Sequence, residues 1–374
     1  MRVDSGIGQY TYWLLRCLPS AAPDLEFGVL LPRSEDPLVQ ELAAASDLDT
    51  AFVPGKPMTL RSWCSAAAHL WDRRPLLYHS PDWLGMPPLA GAWRTVHTVH
   101  DLIPLVAPEW VPASTKARHP HLYRGALRTL LRFTSLVLTD SSFWAAELQG
   151  RLRLPAERIR VVPLGVAPPK RLPSERIAEV LQKLGVGRSP YLLTVGRPEP
   201  YKGLAALIRA FAAIRRDEIL VVAGALDSRY PDAREVAQAD GIGNEVIFTG
   251  PVDPEILECL YQGAAAYATL SRLEGFGLPP LEAMARGLPV LATRIPIFEE
   301  TLGDAAVLVA PDDPVQLRAS LRVVLRDRNA RRRLEAEGPR RTLRYSWTDS
   351  ARRTAEAYRL ALSNRALSRR AAQA

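Results

Sequence analysis

Glu274 and Glu282 bracket the run Glu-Gly-Phe-Gly-Leu-Pro-Pro-Leu-Glu, in which Gly275, Phe276, Gly277 and Leu278 lead into the pair Pro279-Pro280. The apolar stretch Ala264–Leu270 just upstream predicts a strand, which places Glu274 in a glycine loop at its end. Proline suits the earliest helical positions, so Glu282 is expected in the first turn of a helix that the prolines open. Glycines let a backbone approach a ligand closely, and a helix start offers N–H groups that favour an anion. One carboxylate is thereby placed to hold hydroxyls beside a bound phosphate, the chemistry of a sugar joined to a nucleotide.

Cations complete that picture. Arg197 and Lys202 fall in Val-Gly-Arg-Pro-Glu-Pro-Tyr-Lys-Gly, beyond a predicted strand Tyr191–Val195 and just where a helix begins at Gly203. A diphosphate leaving group calls for such neutralisation, arginine as a planar fork and lysine as a point charge. The segment is not a Walker loop, because Gly203 follows Lys202 and the upstream glycine spacing differs. Either cation alone would read as surface decoration, and the Glu274 segment tips the balance towards a site.

Further candidates lie in the first half. His100 ends Thr-Val-His-Thr-Val-His, with Asp101 next, and suits the rim of a site. If the strand persists, alternation sets His97 and Asp101 on one face and His100 on the other. His69, His79, His119 and His121 are taken as structural, since none pairs with a second ligand at metal-binding helical spacing. Gly6-Ile7-Gly8 opens an amphipathic helix ending at Pro19; two glycines there could cradle a phosphate or a sugar, but a dinucleotide fingerprint is not supported. Asp47-Leu48-Asp49 could bind a metal, and a turn or cap is the favoured alternative. Trp63 and Trp71 among Arg61, Arg73 and Arg74 fit either a membrane surface or the first domain's core, the core being favoured.

These residues need a scaffold. The strands Tyr191–Val195, Ile219–Ala223, Val246–Thr249, Ala264–Leu270, Pro289–Thr293 and Ala306–Val309 alternate with helical stripes such as Leu204, Leu207, Ile208 and Phe211. Such alternation predicts a parallel, doubly wound sheet whose ligands sit beyond the C-terminal strand ends. The first half follows the same pattern, with strands Glu26–Leu31, Leu76–His79, Thr95–His100, Leu136–Thr139 and Ile159–Val162. Its helices are expected at Ile7–Leu18, Leu60–Arg73, Thr115–Phe133 and Phe143–Leu152. The proline-rich stretch Pro163–Pro173 reads as the crossover. Domains are therefore expected at 1–165 and 166–345, with a C-terminal helix and basic tail over 346–374. Ser346 is the expected N-cap of that helix, and the extreme C-terminus is expected to fray.

With 374 residues the chain is long for one core, and its composition is that of an ordinary soluble protein. No apolar run approaches the ~20 residues of a membrane span. Met1-Arg2-Val3-Asp4 runs straight into the glycine loop, so no signal peptide is expected. Three cysteines, Cys17, Cys64 and Cys259, fit reduced thiols in a cytoplasm. Net charge is +8, and residues 318–374 alone hold 16 arginines against 5 acids. Solvated helix faces are the favoured account of that tail, and contact with anionic lipid is the alternative. Aromatics are not interleaved with the arginines, which argues against nucleic acid as a partner.

Taken together, the segments resemble the retaining glycosyltransferases of family 4. The resemblance rests on Gly6-Ile7-Gly8-Gln9-Tyr10, Val99-His100-Asp101-Leu102, Pro163-Leu-Gly-Val166, Val195-Gly196-Arg197 with Lys202-Gly203, Phe248-Thr-Gly250, and Glu274 through Glu282. It implies the α/β GT-B fold of two facing Rossmann-like doubly wound domains. Arg197 and Lys202 would then hold the donor diphosphate. Glu274, with the amides of Phe276 and Gly277, would contact the sugar, Glu282 the ribose, and Gly250 and Val252 the base. His100 would face the sugar from the first domain, Gly8 would approach phosphate or acceptor, and Gly196, Gly275 and Leu278 would complete the donor-binding set. No metal cofactor is implied, since cations and helix starts replace one at the leaving group.

The glycine loop and histidine pattern look most like the bacterial O-antigen mannosyltransferases. That implies GDP-mannose as donor, a glycan or polyprenyl-linked acceptor, and cell-envelope polysaccharide synthesis in the cytoplasm, with a peripheral location at the inner face of the plasma membrane as an option. A UDP-sugar transferase of the same fold, or a catalytically impaired sugar-nucleotide-binding scaffold, remains open. One departure stands out: relatives begin with an apolar strand ahead of the glycine loop, and here five residues precede Gly6. Either the start is assigned too late or, as the fold reading expects, the first domain lacks that strand.

Overall fold

The computed structural model describes residues 6–32, 34–54, 60–73, 75–82, 94–197, 199–225, 227, 229–230 and 233–363. The chain forms two compact units, one of Met1–Leu105, His119–Gly165 and Tyr345–Ala374, the other of Val106–Arg118 and Val166–Arg344. Both are α/β with parallel sheets, as the resemblance implies.

The first unit holds β1 (Gly28–Pro32), β2 (Asp49–Val53), β3 (Leu77–Ser80), β4 (Arg94–Thr98), β5 (Leu136–Thr139) and β6 (Ile159–Val161). β1 pairs with β2, and β3, β4, β5 and β6 pair in that order. Among the described residues no strand joins the two sheets. They share helices nonetheless. Leu30 of β1, Val53 of β2 and Tyr78 of β3 all pack on Ala66 and Leu70 of the helix Leu60–Arg73. On the opposite face of β1, Val29 and Leu31 join Tyr12, Val39, Leu42 and Leu48. This alternation is the period of two that a strand imposes.

β2 was not anticipated. Asp47 and Leu48 do form a turn, but a strand begins at Asp49, whose carboxylate pairs with Arg73. Two other expectations are corrected. The helix Gly6–Ala21 runs through Pro19, because only its last turn lies beyond the missing N–H. The single helix expected over Thr115–Phe133 is two, Thr115–Arg118 and Pro120–Arg132, since Pro120 pushes His119 to φ −129°, ψ 60°.

The last helix, Trp347–Ser363, belongs to this first unit. The Ser346 hydroxyl caps it by accepting from the Asp349 N–H at 3.0 Å. Tyr358 then hydrogen-bonds His79 Nδ1 at 2.6 Å, Arg359 pairs with Asp24, and Arg94 donates to the Leu362 carbonyl. A Cβ on Gly165 would overlap the Trp347 backbone, so glycine alone admits this approach. The expectation of fraying falls on residues 364–374, outside the described residues.

The second unit carries β7 (Tyr191–Val195), β8 (Ile219–Ala223), β9 (Val246–Gly250), β10 (Ala266–Thr269), β11 (Val290–Thr293) and β12 (Val307–Val309). They form one parallel sheet in the order β12-β11-β10-β7-β8-β9. Leu207, Ile208 and Phe211 of the helix Leu204–Ala212 bury against Leu192, Leu220 and Val222, which is the predicted stripe at work. Winding runs outward in both directions from the β10–β7 boundary. That boundary is a topological switch point, where loops at the C-terminal strand ends diverge and leave a crevice.

Candidate functional site

The two loops that flank the switch point carry the predicted charges. After β7 a short turn, Pro200–Lys202, delivers Lys202, and after β10 the loop delivers Glu274. Lys202 Nζ donates to Glu274 Oε1 at 2.6 Å. Their side chains are only 24% and 15% exposed. Burial opposes the ammonium charge, but the adjacent Glu274 carboxylate prevails and holds Lys202 above its ordinary range. Gly203 makes the approach possible: at φ 69° it adopts a left-handed turn, and a Cβ would stand 2.6 Å from the Leu270 carbonyl.

Gly277, at φ 89°, caps the helix Leu278–Ala285, and a Cβ there would reach within 2.6 Å of the Phe298 ring. Phe276 is buried beside it and Gly275 completes the bend. The helix opens one residue before Pro279, so Glu282 lies in its second turn, not its first as expected. Burial raises the Glu282 carboxyl above its usual range, and Tyr261 donates its hydroxyl to Glu282 Oε2 at 3.0 Å. Arg286, in ion pair with Glu258, lies over the Tyr261 ring at 5.0 Å.

Arg197 stands apart. Its side chain is 65% exposed and sits 4.0 Å from Glu199. Gly196 follows β7 directly, while Gly250 ends β9 and Val252 enters the next loop. A cavity of about 630 Å³ runs along the helix Leu204–Ala212, lined by Glu199, Gly203, Arg209, Leu270 and Thr293 among others, and neither Glu274 nor Glu282 borders it.

In the first unit the strand expectation for Thr95–His100 stops at Thr98, and the chain turns. His97 points inward, its Nδ1 3.0 Å from the Thr134 hydroxyl. His100 points to the strand ends, with Nδ1 2.9 Å from Asp140 Oδ2 and Nε2 3.0 Å from the Pro81 carbonyl. Tyr10, two residues past the buried Gly8, crosses the His100 ring in a T-shaped contact at 4.7 Å and bonds the Thr98 hydroxyl at 3.0 Å. His79 Nε2 reaches the same hydroxyl at 2.8 Å. Trp71 is largely exposed, and the Trp63 side chain lies outside the described residues.

Sequence reasoning missed Asp140, Tyr10 and Tyr261. Asp140 had a signal, an acid directly ending the buried apolar strand Leu136–Thr139. Tyr261 had none, since it meets Glu282 only through folding.

Comparison with known proteins covers both halves of the chain. The family described as glycosyl transferase 4-like domain matches residues 5–165, and that described as glycosyl transferases group 1 matches residues 177–341. The chain is 27% identical over 374 residues to an O-antigen chain mannosyltransferase B of Escherichia coli, covering 95% of this chain and 96% of that one. It is 30% identical over 341 residues to a D-inositol 3-phosphate glycosyltransferase of Nocardia farcinica, covering 84% of this chain and 72% of the relative. Among solved structures, sucrose-phosphate synthase from Thermosynechococcus elongatus superposes with a TM-score of 0.73 at 22% identity, over 95% of this chain and 93% of that one. Anabaena HepE in complex with UDP and glucose gives 0.72 at 18% identity, over 93% of this chain and 96% of that one.

Proposed function

The chain belongs to the group 1 glycosyl transferases, with a glycosyl transferase 4-like first half, and on that footing we propose that it moves mannose from GDP-mannose, with retention, onto a glycan or polyprenyl-linked glycan of the cell envelope. The observation that carries this reading is the Lys202–Glu274 pair at the switch point. A diphosphate entering there takes over the ammonium. Glu274 is released to accept hydrogen bonds from the sugar, and the start of the helix Leu278–Ala285 faces developing negative charge. Glu282 accepts from the ribose, with Gly250 and Val252 beside the base. Gly196, Gly275, Phe276, Gly277 and Leu278 let backbone close around the donor.

The sugar–phosphate bond breaks through an oxocarbenium-like state while the acceptor hydroxyl attacks the same face. The departing phosphate oxygen takes the acceptor's proton. Lys202, joined by Arg197 once the exposed guanidinium swings in, supplies the neutralisation that a metal would otherwise provide. We assign His100 to the sugar end of the donor and Gly8 to the acceptor side. Mannose is favoured because the mannosyltransferase relative aligns along 95% of this chain. No helix among the described residues is long and apolar enough to cross a membrane; we place the protein in the cytoplasm, touching the inner face of the plasma membrane when its acceptor is lipid-linked.

The test is a panel of GDP-, UDP- and ADP-sugars, read by calorimetry and by product formation on a polyprenyl-linked acceptor. Tight GDP binding with mannose transfer supports the proposal. Preference for UDP or ADP overturns the donor, and binding without any turnover overturns the enzyme reading.

A further inference from the structure

His100 ties three strand ends together. Its Nδ1 lies 3.0 and 2.9 Å from Oδ1 and Oδ2 of Asp140, at the end of β5, and its Nε2 lies 3.0 Å from the carbonyl of Pro81, past β3. A carbonyl oxygen can only accept, so Nε2 carries a hydrogen. Nδ1 is centred on two carboxylate oxygens, the geometry of an N–H donating to a charged acceptor. Building on the assignment of His100 to the sugar end of the donor, we infer that Asp140 is a positioning residue for transfer: it holds His100 as a doubly protonated ring whose N–H groups are both committed within the first unit, so that His100 offers fixed positive charge and not a base.

The surroundings favour the ion pair. The side chains of His100 and Asp140 are 11% and 2% exposed, which protects their attraction from solvent screening. Burial works against the charge on His100, yet Asp140, Asp82 and the Pro81 carbonyl push it up to about 9. Burial also raises the Asp140 carboxyl, helped by Asp101, while His100 pulls it down. The neutral pairing would keep one proton on the acid and leave His100 a single N–H. The twofold contact with the carboxylate argues for the charged form. The Tyr10 and His100 rings cross at 79°, and the Tyr10 hydroxyl is engaged by Thr98. His79, driven down to about 3 by burial, with His97 and His100 adding to it, is neutral and brings no competing charge.

A ring in this state has no lone pair with which to take the acceptor's proton. This is consistent with the proposed transfer, in which the departing phosphate takes the proton, and what His100 can contribute is electrostatic.

The inference is tested on the full chain by nitrogen-15 NMR of labelled histidine rings between pH 5.5 and 10, with His100→Gln assigning the signal. The expected result is two protonated ring nitrogens at pH 7.5 and titration near 9. In Asp140→Asn the titration should fall towards the ordinary value of about 6.5, cutting the charged fraction at pH 7.5 about tenfold. Transfer by that variant should drop about tenfold in kcat at pH 7.5 with the donor KM within about twofold, and the ratio to wild type should recover by pH 5.5.

A neutral His100 in the wild type, a titration unmoved by Asp140→Asn, or a kinetic deficit flat with pH would overturn it. If Asp140→Asn does not fold, the wild-type titration and Asp140→Glu decide: a charged ring with a displaced alkaline limb supports the inference, and a neutral ring ends it. The ring signals are read without substrate. Failure of any nucleotide sugar to bind therefore counts against the functional proposal alone.

Discussion

Lys202 and Glu274 neutralise each other at 2.6 Å, so the diphosphate of the proposed donor would enter by an exchange of partners and not by filling a bare positive site. Removing the cation leaves phosphate charge uncompensated beside a carboxylate. Lys202→Ala should weaken GDP binding by about 10- to 100-fold in calorimetry, the loss of a charge-assisted bond. Glu274→Gln has the opposite profile: GDP affinity should hold within about threefold while kcat falls about 100-fold or more, because its partner in the proposal is the sugar. Equal losses in both quantities would remove Glu274 from the sugar end. His100 adds a signature in stability. Its folded value lies above the ordinary one, so its pairing stabilises the fold fully below pH ~6.5, and that contribution is lost as pH rises through about 9. Thermal melts of wild type and His100→Gln should therefore converge across that interval; a constant gap would show that the pair carries no linked proton.

At the scale of elements, the second unit's strands were readable because parallel strands covered on both faces are continuous apolar runs, such as Tyr-Leu-Leu-Thr-Val in β7 and Ile-Leu-Val-Val-Ala in β8. β2 escaped because Asp-Thr-Ala-Phe-Val begins polar and, among the described residues, pairs with β1 alone, with Phe52 exposed. Loop chemistry singled out Lys202 and Glu274, which do meet, and Arg197, which lies exposed beside Glu199. The supporting residues were not legible, since Asp140 reaches His100 across 40 residues and Tyr261 reaches Glu282 across 21. Gly277 shows how closely the loop is constrained. Gly277→Ala must hold a left-handed φ of 89° and displace the Phe298 ring, and a loss of about 1–3 kcal/mol in denaturant unfolding is expected, with donor affinity reduced as the loop shifts. Unchanged stability would mean that the loop relaxes freely.

At the scale of the molecule, two groups stand out among the described arginines after residue 317. Arg326, Arg331, Arg333, Arg352, Arg353 and Arg359 pair with carboxylates, as solvated helix faces do. Arg322, Arg328 and Arg332 are exposed and have no carboxylate partner among the described residues. If these meet the membrane, the protein should sediment with anionic vesicles at low salt and be released at high salt; no enrichment at low salt would end the idea. The first unit is assembled from both ends of the chain, since Tyr358 locks His79, Arg359 holds Asp24, and Trp347 sits on Gly165. During synthesis the amino-terminal half leaves the ribosome first but cannot close its core until residues 345–363 have followed. Meanwhile Val166–Arg344 has already emerged and can settle. The face of the first unit that this helix covers is therefore completed only after the whole second unit has been made.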